Sequence, residues 1–307
     1  MPAREHYVQR AYLEGFVDPS SVKKGRDSYV WVVDLKEKTV KARAPKNIAA
    51  LPGYYDIRDE RYKGPPLEQF YAEIESRTIP VIRRLRTEKL RITINERHDL
   101  ATYIGLQFSR VPRFREAAWN ATQKNFDKSL RRLVTDDRTL KQKLDRYIAL
   151  NPKSAISLTP ESVKTAIQER RFKIVRSRNS QDHFAALGLW AGFEVAPLVF
   201  SMKWTLVHNE TESKFFTSDN PVSLLTPDAK PPKTWREWKA NVEIAFPVSP
   251  SRLLSVHSRS KSLSDITLTH RDVIEFINQC LIPTPDRYVF CSSGDQAHWA
   301  LCRRRDD

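Results

Sequence analysis

The chain has 307 residues, of which 40% are hydrophobic and 29% are charged. A chain of this length and composition can bury one large core or two modest ones, which excludes a disordered or collagen-like protein. Lysine and arginine number 52 against 37 aspartate and glutamate residues, so the net charge is +15. This excess of positive charge favours a polyanionic partner.

Two features of the sequence bear on its cellular compartment. The chain has no uninterrupted run of 18 apolar residues, and its start, MPAREHYVQR, has no apolar stretch typical of a signal peptide. The cysteines Cys280, Cys291 and Cys302 are odd in number and contain no Cys-x-x-Cys pair, so they favour neither a complete disulfide framework nor a zinc site. We therefore expect a cytoplasmic protein that does not span a membrane.

The predicted elements begin with a β-hairpin and continue with helices. Residues 29–33 and 40–43 alternate apolar and polar side chains on either side of a polar turn, which is typical of a hairpin. From residue 66 apolar side chains recur every three or four positions, which predicts a helix. A second helix is predicted to begin near Asn95 and to bend or end at Pro112. Further helices are predicted at 113–134, 137–149 and 160–174.

The last third of the chain changes from helical to strand-like patterns. Residues 183–199 are apolar on nearly every side, including Trp190 and Phe193, and predict a central buried helix. Beyond residue 200, short strand-like runs alternate with turns, and one helix is predicted at 272–281. The sequence therefore predicts an α+β fold, a helical middle region flanked by a small N-terminal β-hairpin or sheet and a larger C-terminal antiparallel sheet. Whether the two sheets merge stays open. The strand-like runs are 204–207, 214–217, 222–225, 242–246, 253–256 and 288–290.

Several short motifs occur in the order in which a bacterial protein family carries them. The segment His6-Tyr-Val-Gln-Arg-Ala-Tyr-Leu-Glu-Gly-Phe16 resembles the opening H-Y-V-P-x-x-Y-L-x-x-F of a broad bacterial family of unknown function. Gln9 replaces the usual proline, which leaves a backbone N–H free in that turn. Thr217-Ser-Asp-Asn-Pro221 matches the T-S-D-N-P motif of that family. The other matches are Pro45-Lys-Asn-Ile48 with Tyr54-Tyr55-Asp56, Leu67-Glu68 with Ile74-Glu75, Gln107 with Arg110, Pro112 and Arg115, Phe246-Pro-Val-Ser-Pro250, and Asn278 with Arg287-Tyr-Val289.

These matches extend over nearly the whole chain. The resemblance implies one family domain over residues 1–307, with an N-terminal hairpin region at 1–62, a helical region at 63–200 and a C-terminal sheet region at 201–307. It implies no reaction, so the function has to be argued from the residues.

Polar side chains within apolar segments are candidates for a functional site. Gln107 lies in the apolar stripe of the second long helix, and Arg110 follows one turn later. A buried amide and a buried guanidinium need partners, because burial without them costs free energy. Glu68 and Glu75, two turns apart on the preceding helix, are the expected carboxylates. An internal ion pair that joins the two helices is the structural alternative.

Two further residues complete the predicted site. His6 lies among aromatic and aliphatic neighbours, where an imidazole can act as a general base, a metal ligand or a hydrogen-bonded core residue. Asp219, followed by Asn220, stands after a strand-like run; it can bind a divalent cation, although Asp and Asn before proline are also typical of a turn. The predicted catalytic residues are His6, Glu75, Gln107, Arg110 and Asp219, and the predicted ligands of Mg²⁺ or Mn²⁺ are Glu68, Glu75 and Asp219.

The densest positive charge lies between residues 124 and 178, a stretch with 15 basic and 6 acidic residues. We predict that these basic side chains bind nucleic acid, with a merely solvated helical surface as the alternative. The predicted contacts are Arg131, Arg132, Lys141, Lys143, Arg170, Arg171, Lys173, Arg176 and Arg178.

The sequence lacks the P-loop, G-x-G-x-x-G, H-E-x-x-H and G-x-S-x-G motifs, which disfavours the enzyme classes that depend on them. The leading hypothesis is a nucleic-acid-acting protein in the form of a metal-dependent nuclease or phosphodiesterase. The acids would hold the cation, His6 would activate water or bind the metal, and Arg110 would stabilise charge on the phosphate. Two alternatives stay open: a non-catalytic module that binds nucleic acid, a nucleotide or a protein, and a small-molecule enzyme whose positive charge is incidental.

Overall fold

A computed structural model describes residues 4–23, 25, 27–57, 63, 66–151, 158–172, 174–176, 180–225, 242–257 and 262–303. The chain forms two compact units, one made of residues 1–115 and 185–307 and one made of residues 116–184. The fold is α+β, as predicted from the sequence. The three subregions drawn within one family domain stay a prediction.

The strands and helices follow one another in chain order. The strands are β1 (Arg4–His6), β2 (Val30–Asp34), β3 (Thr39–Arg43), β4 (Ala50–Pro52), β5 (Lys203–Asn209), β6 (Thr217–Ser218), β7 (Ser223–Leu225), β8 (Glu243–Ser249), β9 (Arg252–His257), β10 (Leu263–Leu268) and β11 (Tyr288–Cys291). The helices are α1 (Arg10–Leu13), α2 (Leu67–Leu85), α3 (Ile94–Arg110), α4 (Pro112–Leu133), α5 (Asp137–Leu150), α6 (Pro160–Gln168), α7 (Ser180–Ser201), α8 (Arg271–Leu281) and α9 (Gly294–Arg303).

The predicted N-terminal hairpin forms and shares a sheet with the C-terminal part of the chain. β2 and β3 pair antiparallel, with Val33 opposite Val40. β11 then pairs antiparallel with both β2 and β6, which gives the order β3-β2-β11-β6. β1 and β4 form a separate two-stranded sheet. The question of whether the N-terminal and C-terminal strands merge is therefore answered in favour of one four-stranded sheet.

A five-stranded sheet forms the larger C-terminal layer, in the order β10-β5-β9-β8-β7. The pairs β5–β9, β9–β8 and β8–β7 are antiparallel, as expected from the sequence. The outer strand β10 runs parallel to β5, so the sheet is mixed. Parallel neighbours cannot be joined by a tight hairpin. β10 therefore pairs with β5 only after the strands β6 to β9 have intervened in the sequence.

Helices α3 and α7 pack closely in the first unit because both carry small residues where they meet. A Cβ atom on Gly105 would clash with the backbone oxygen of Gly192, and one on Gly188 would lie 2.9 Å from the backbone oxygen of Ser109. Thr93 and Glu96 form a capping box that begins α3, in which each side chain accepts a hydrogen bond from the other residue's backbone N–H. Two residues of the predicted site, Gln107 and Arg110, thus lie on a helix that packs closely against α7.

The prediction that α7 is buried on all sides is wrong for two of its aromatic residues. Trp190 is 57% exposed and Phe193 is 46% exposed. The helix turns its small residues toward α3, and this close contact leaves the opposite face, which carries the aromatic side chains, in solvent. By length and composition, residues 182–201 meet the criteria for a membrane-spanning helix, with a mean hydropathy of 1.5. Core helices of soluble proteins have the same composition, and 39% of this segment is buried, so the expectation that the chain does not span a membrane stays a prediction.

The second unit is helical and has a small apolar core. Its buried side chains include Leu140, Leu144 and Ile167. Thr159 caps α6 and Pro160 occupies its first turn. The helix ends at Gln168, earlier than the predicted residue 174. Arg170 has a positive φ of 56°, a left-handed conformation that cannot continue a right-handed helix.

Candidate functional site

Arg110 is the centre of a buried polar cluster between α2 and α3. Its Nη1 donates to Oε1 of Glu75 at 2.6 Å, and its Nε donates to Oε1 of Gln107 at 2.8 Å. Nε2 of Gln107 donates in turn to the backbone oxygen of Tyr7 at 2.9 Å. The structure therefore joins Glu75, Gln107 and Arg110, three of the predicted catalytic residues, in one hydrogen-bond network.

The surroundings of this guanidinium keep it charged. Its central carbon lies 5.2 Å from the ring centre of Tyr71 and 5.7 Å from that of Tyr103. Burial favours a lower pKa for Arg110, but the Glu75 carboxylate beside it raises that pKa above its ordinary value. The side chain of Arg110 is 2% exposed and that of Glu75 is 15% exposed. All three guanidinium nitrogens donate to Glu75 or Gln107, so this arrangement matches the structural alternative of an ion pair joining two helices.

His6 stands at the end of strand β1 with one ring nitrogen unused. Its Nε2 is buried and has no hydrogen-bond partner in the part of the chain that the structure describes. Burial lowers the pKa of His6, whereas a hydrogen bond to the backbone of Pro45 and the charge of Glu75 act in the opposite direction. A neutral imidazole with a free nitrogen has the chemistry of a general base. Among the predicted catalytic residues, His6 therefore keeps an unused functional atom.

Asp219 is occupied by the backbone of a turn. Its Oδ1 accepts from the N–H of Asp286 at 2.9 Å, and its Oδ2 accepts from those of Arg287 and Tyr288 at 2.8 and 2.9 Å. Burial raises the pKa of Asp219 to about 6, although the three N–H groups favour the ionised form. The carboxylate therefore holds the chain that leads into β11, a structural use in keeping with the turn interpretation.

The three residues predicted to bind Mg²⁺ or Mn²⁺ have different surroundings in the structure. Glu68 is exposed in the first turn of α2, Glu75 is paired with Arg110, and Asp219 is bonded to the backbone. Within the described ranges, no group of three or more His, Cys, Asp or Glu side chains is placed to hold a metal ion.

A family profile described as "Protein of unknown function (DUF4238)" matches residues 4–295. The chain belongs to the DUF4238 family. This confirms the assignment to a family of unknown function that the sequence motifs suggested. No significant match was found among curated proteins or among solved structures.

Several motif residues of this DUF4238 protein bind one another across long stretches of sequence. The hydroxyl of Tyr12 donates to the backbone oxygen of Pro247 at 2.6 Å and accepts from the hydroxyl of Thr217, 2.7 Å away. Arg287 forms a salt bridge with Asp34 across the four-stranded sheet, with an Nη2–Oδ2 distance of 2.6 Å. Sequence reasoning missed these partners. The one signal was that Tyr12, Thr217 and Arg287 lie inside motifs that keep the order of the family, whereas Asp34 lies in none of these motifs.

The basic surface of the DUF4238 protein lies in the unit of residues 116–184. The sequence of this unit has 15 basic and 8 acidic residues. Of the predicted nucleic-acid contacts, those that the structure describes are all exposed, and Lys173 and Arg178 lie outside the described residues. The exposed contacts are Arg131, Arg132, Lys141, Lys143, Arg170, Arg171 and Arg176.

Acidic neighbours already pair with some of these cations. Arg131 bonds to Asp127 at 2.8 Å, Arg171 bonds to Glu169 at 2.6 Å, and Arg176 pairs with Glu116. Such exposed pairs contribute little to stability, but they reduce the charge available to a ligand. These three arginines are therefore weaker candidates for phosphate contacts.

Helix α4 carries a row of cations that, unlike these three arginines, have no acidic partner among the described residues. Lys124, Lys128 and Arg132 are exposed and lie four residues apart, so successive side chains share one face about 6 Å apart along the helix. None of the three forms a salt bridge with a described residue. We call these three residues the α4 basic row.

Helix α5 adds cations and an aromatic ring. Lys141 and Lys143 are exposed and form no salt bridge with any residue that the structure describes. Tyr147 follows Lys143 by one turn and is 47% exposed. An exposed aromatic ring beside a cation is typical of surfaces on which nucleic-acid bases stack.

Proposed function

We propose that this DUF4238 protein binds single-stranded nucleic acid through the exposed basic side chains of the 116–184 unit. The observation that supports this most directly is the α4 basic row, three exposed cations on one helix face without acidic partners among the described residues. The net charge of +15 also favours binding of a polyanion. Binding of this kind is independent of base sequence, because phosphates carry no sequence information.

The physical basis is the release of counterions from the phosphate backbone. Each cation that neutralises a phosphate displaces condensed counterions, so affinity falls as salt concentration rises. Cations that already have a carboxylate partner contribute less, because that pair must first separate. The α4 basic row and the lysines of α5 are therefore the expected contacts, and Tyr147 offers a ring on which an unpaired base can stack.

Hydrolysis of the bound strand is a separate hypothesis. It rests on His6, whose neutral ring has a buried nitrogen without a described partner. Binding has the broader support, because it rests on several exposed cations, whereas hydrolysis rests on one side chain. Incubation with RNA and DNA in Mg²⁺ or Mn²⁺, beside a His6→Ala variant, is the test. Cleavage that His6→Ala abolishes would support an enzyme, and intact strands would leave a binding protein.

The binding proposal is tested by fluorescence anisotropy with a labelled single-stranded oligonucleotide. The variant Lys124→Gln/Lys128→Gln/Arg132→Gln removes the α4 basic row. We expect it to bind more weakly and to make the negative slope of log affinity against log salt shallower by about 2. The matched control, Lys36→Gln/Lys41→Gln/Arg43→Gln, removes the same charge from exposed positions in the hairpin of the other unit. If both triple variants lost the same affinity, the effect would come from net charge alone. That result would contradict the assignment of binding to the α4 basic row.

A further inference from the structure

The first unit contains a groove of about 740 Å³ that is separate from the Arg110 cluster. Its floor is one face of the five-stranded sheet, and helix α8 forms one wall. The volume lies within the range of small-molecule sites, roughly 300–1,000 Å³. The strand register shows how the chemistry of the floor changes along the groove.

An ionisable row forms one end of the floor. Lys203 of β5 lies opposite His257 of β9, and His257 lies opposite Glu243 of β8. Directly paired residues on neighbouring strands point to the same face of a sheet. All three residues line the groove. This end of the groove therefore presents a cation, an imidazole and a carboxylate side by side.

A hydroxyl row follows two residues further along the strands. Ser264, Thr205 and Ser255 occupy it on β10, β5 and β9. The hydroxyls of Thr205 and Ser264 lie 2.8 Å apart, and the hydroxyl of Ser255 donates to Oε1 of Glu243 at 2.6 Å. One oxygen of the Glu243 carboxylate is therefore occupied by a hydrogen bond. Lys203 is two strands away from it, about 10 Å at the usual strand spacing.

The rest of the groove is apolar. The next row of the floor consists of Ile266, Val207 and Leu253. On the wall, α8 contributes Val273, Ile277 and Phe276, and Phe276 is 64% exposed. The surface thus changes from charged through hydroxylic to apolar within three rows of the sheet.

We propose that this groove binds a small amphipathic molecule that has one anionic group and an apolar body. The anionic group lies at Lys203 and His257, within reach of the hydroxyls of the second row, and the body lies on the third row and Phe276. Lys203 is the complementary group because it forms no salt bridge with a described residue, whereas the Glu243 carboxylate lies two strands away and accepts a hydrogen bond from Ser255. The proposal is independent of nucleic-acid binding, since it uses neither unit 116–184 nor the Arg110 cluster.

The test is isothermal titration of the whole protein with decanoate and with decanol, two probes that share an apolar chain and differ in the charged group. We expect one molecule of decanoate to bind, about tenfold more tightly than decanol, because the carboxylate gains a charge-assisted bond to Lys203. Lys203→Gln should reduce the affinity for decanoate to that for decanol and leave the affinity for decanol unchanged. Lys41→Gln, an exposed site in the hairpin, is the matched control.

A second variant keeps the test decisive if the first disturbs the fold. Phe276→Glu changes an exposed wall residue, so the fold should survive, and it should weaken both probes by placing a charge in the apolar part. The proposal would be overturned by equal affinities for decanoate and decanol, by an absence of decanoate binding, or by binding of many molecules that Phe276→Glu leaves unchanged.

Discussion

The side-chain hydroxyls of Tyr12 and Thr217 lie 2.7 Å apart, although 205 positions separate these residues in the chain. Tyr12 belongs to the N-terminal motif and Thr217 to the T-S-D-N-P motif. Because the Tyr12 proton goes to the backbone oxygen of Pro247, Thr217 is the donor in the pair. Two of the motifs that resemble the family are thus joined by a buried contact.

Replacing Tyr12 with phenylalanine tests how far this contact holds the fold together. The variant leaves the Thr217 hydroxyl and the Pro247 carbonyl buried without this partner, so we expect the free energy of unfolding to fall by about 2 kcal/mol. Urea denaturation measures the change. Tyr147→Phe, at an exposed ring, is the control and should stay within about 0.5 kcal/mol of the native protein. Equal stability of Tyr12→Phe and the native protein would argue against the contact.

The pairing of Arg110 with Glu75 predicts that the two glutamates of α2 differ in their effect. Glu75→Gln leaves a buried guanidinium without its counter-charge, and we expect a loss of about 3 kcal/mol in unfolding free energy. Glu68→Gln, exposed on the same helix, should change it by less than about 0.5 kcal/mol. Thermal melting combined with oligonucleotide binding distinguishes the roles. If the Glu75→Gln protein were stable but no longer bound the oligonucleotide, Glu75 would have a role in ligand binding and not in stability.

Asp219 should make stability depend on pH in a definite direction. Its pKa is raised by burial to about 6, so between about pH 4 and pH 6 the folded protein binds this proton more tightly than the unfolded chain. Its contribution to stability is therefore complete at low pH and is lost as the pH rises toward 6, by at most about 3 kcal/mol.

The variant Asp219→Asn removes this titration. Its amide keeps one acceptor oxygen and places an N–H₂ group against a backbone donor, so at pH 7 it should be less stable by about 1–3 kcal/mol. The gap between native protein and variant should widen as the pH falls from 6 to 4 in urea titrations. Asp295→Asn, at an exposed position, is the control. A gap that narrows on acidification would show that the three N–H groups outweigh burial.

The close packing of α3 and α7 predicts that Gly105 does not tolerate a side chain. In Gly105→Ala the new methyl group meets the backbone oxygen of Gly192, which neither helix can move cheaply, and we expect a loss of about 1–3 kcal/mol. In an exposed helix the same change would stabilise the protein by about 1 kcal/mol. Denaturant unfolding, with Ser129→Ala on the exposed face of α4 as control, measures the difference. A gain in stability would contradict the close contact.

Much of the secondary structure could be predicted because it depends on local patterns. The alternation around the polar turn predicted the hairpin of β2 and β3, and apolar residues at intervals of three and four predicted α2 and α3. Predictions became less accurate where the boundary depends on a single backbone angle. The left-handed conformation of Arg170 prevents α6 from continuing to residue 174, and an arginine side chain does not predict this conformation.

The sequence pattern alone was enough to infer that some of the polar side chains need partners. Gln107 and Arg110 lie in the apolar stripe of a helix, so their need for a partner could be inferred, and the structure places Glu75 there. The use of Asp219 could not be inferred in the same way, because its partners are backbone groups 67 to 69 positions later. Backbone donors have no identity in a sequence, so only the path of the chain shows where they lie.

The amino-acid sequence by itself determined the local periodicities, the α+β class, the membership of a family and the excess of positive charge. These are properties of neighbouring residues or of totals, and they need no knowledge of distant contacts. The tertiary structure alone decided that β11 joins the N-terminal hairpin, that Trp190 and Phe193 of α7 face solvent, and which cations lack a partner among the described residues. The reason is physical: burial and pairing depend on which segments meet in space, and many sequence-distant contacts compete for that choice.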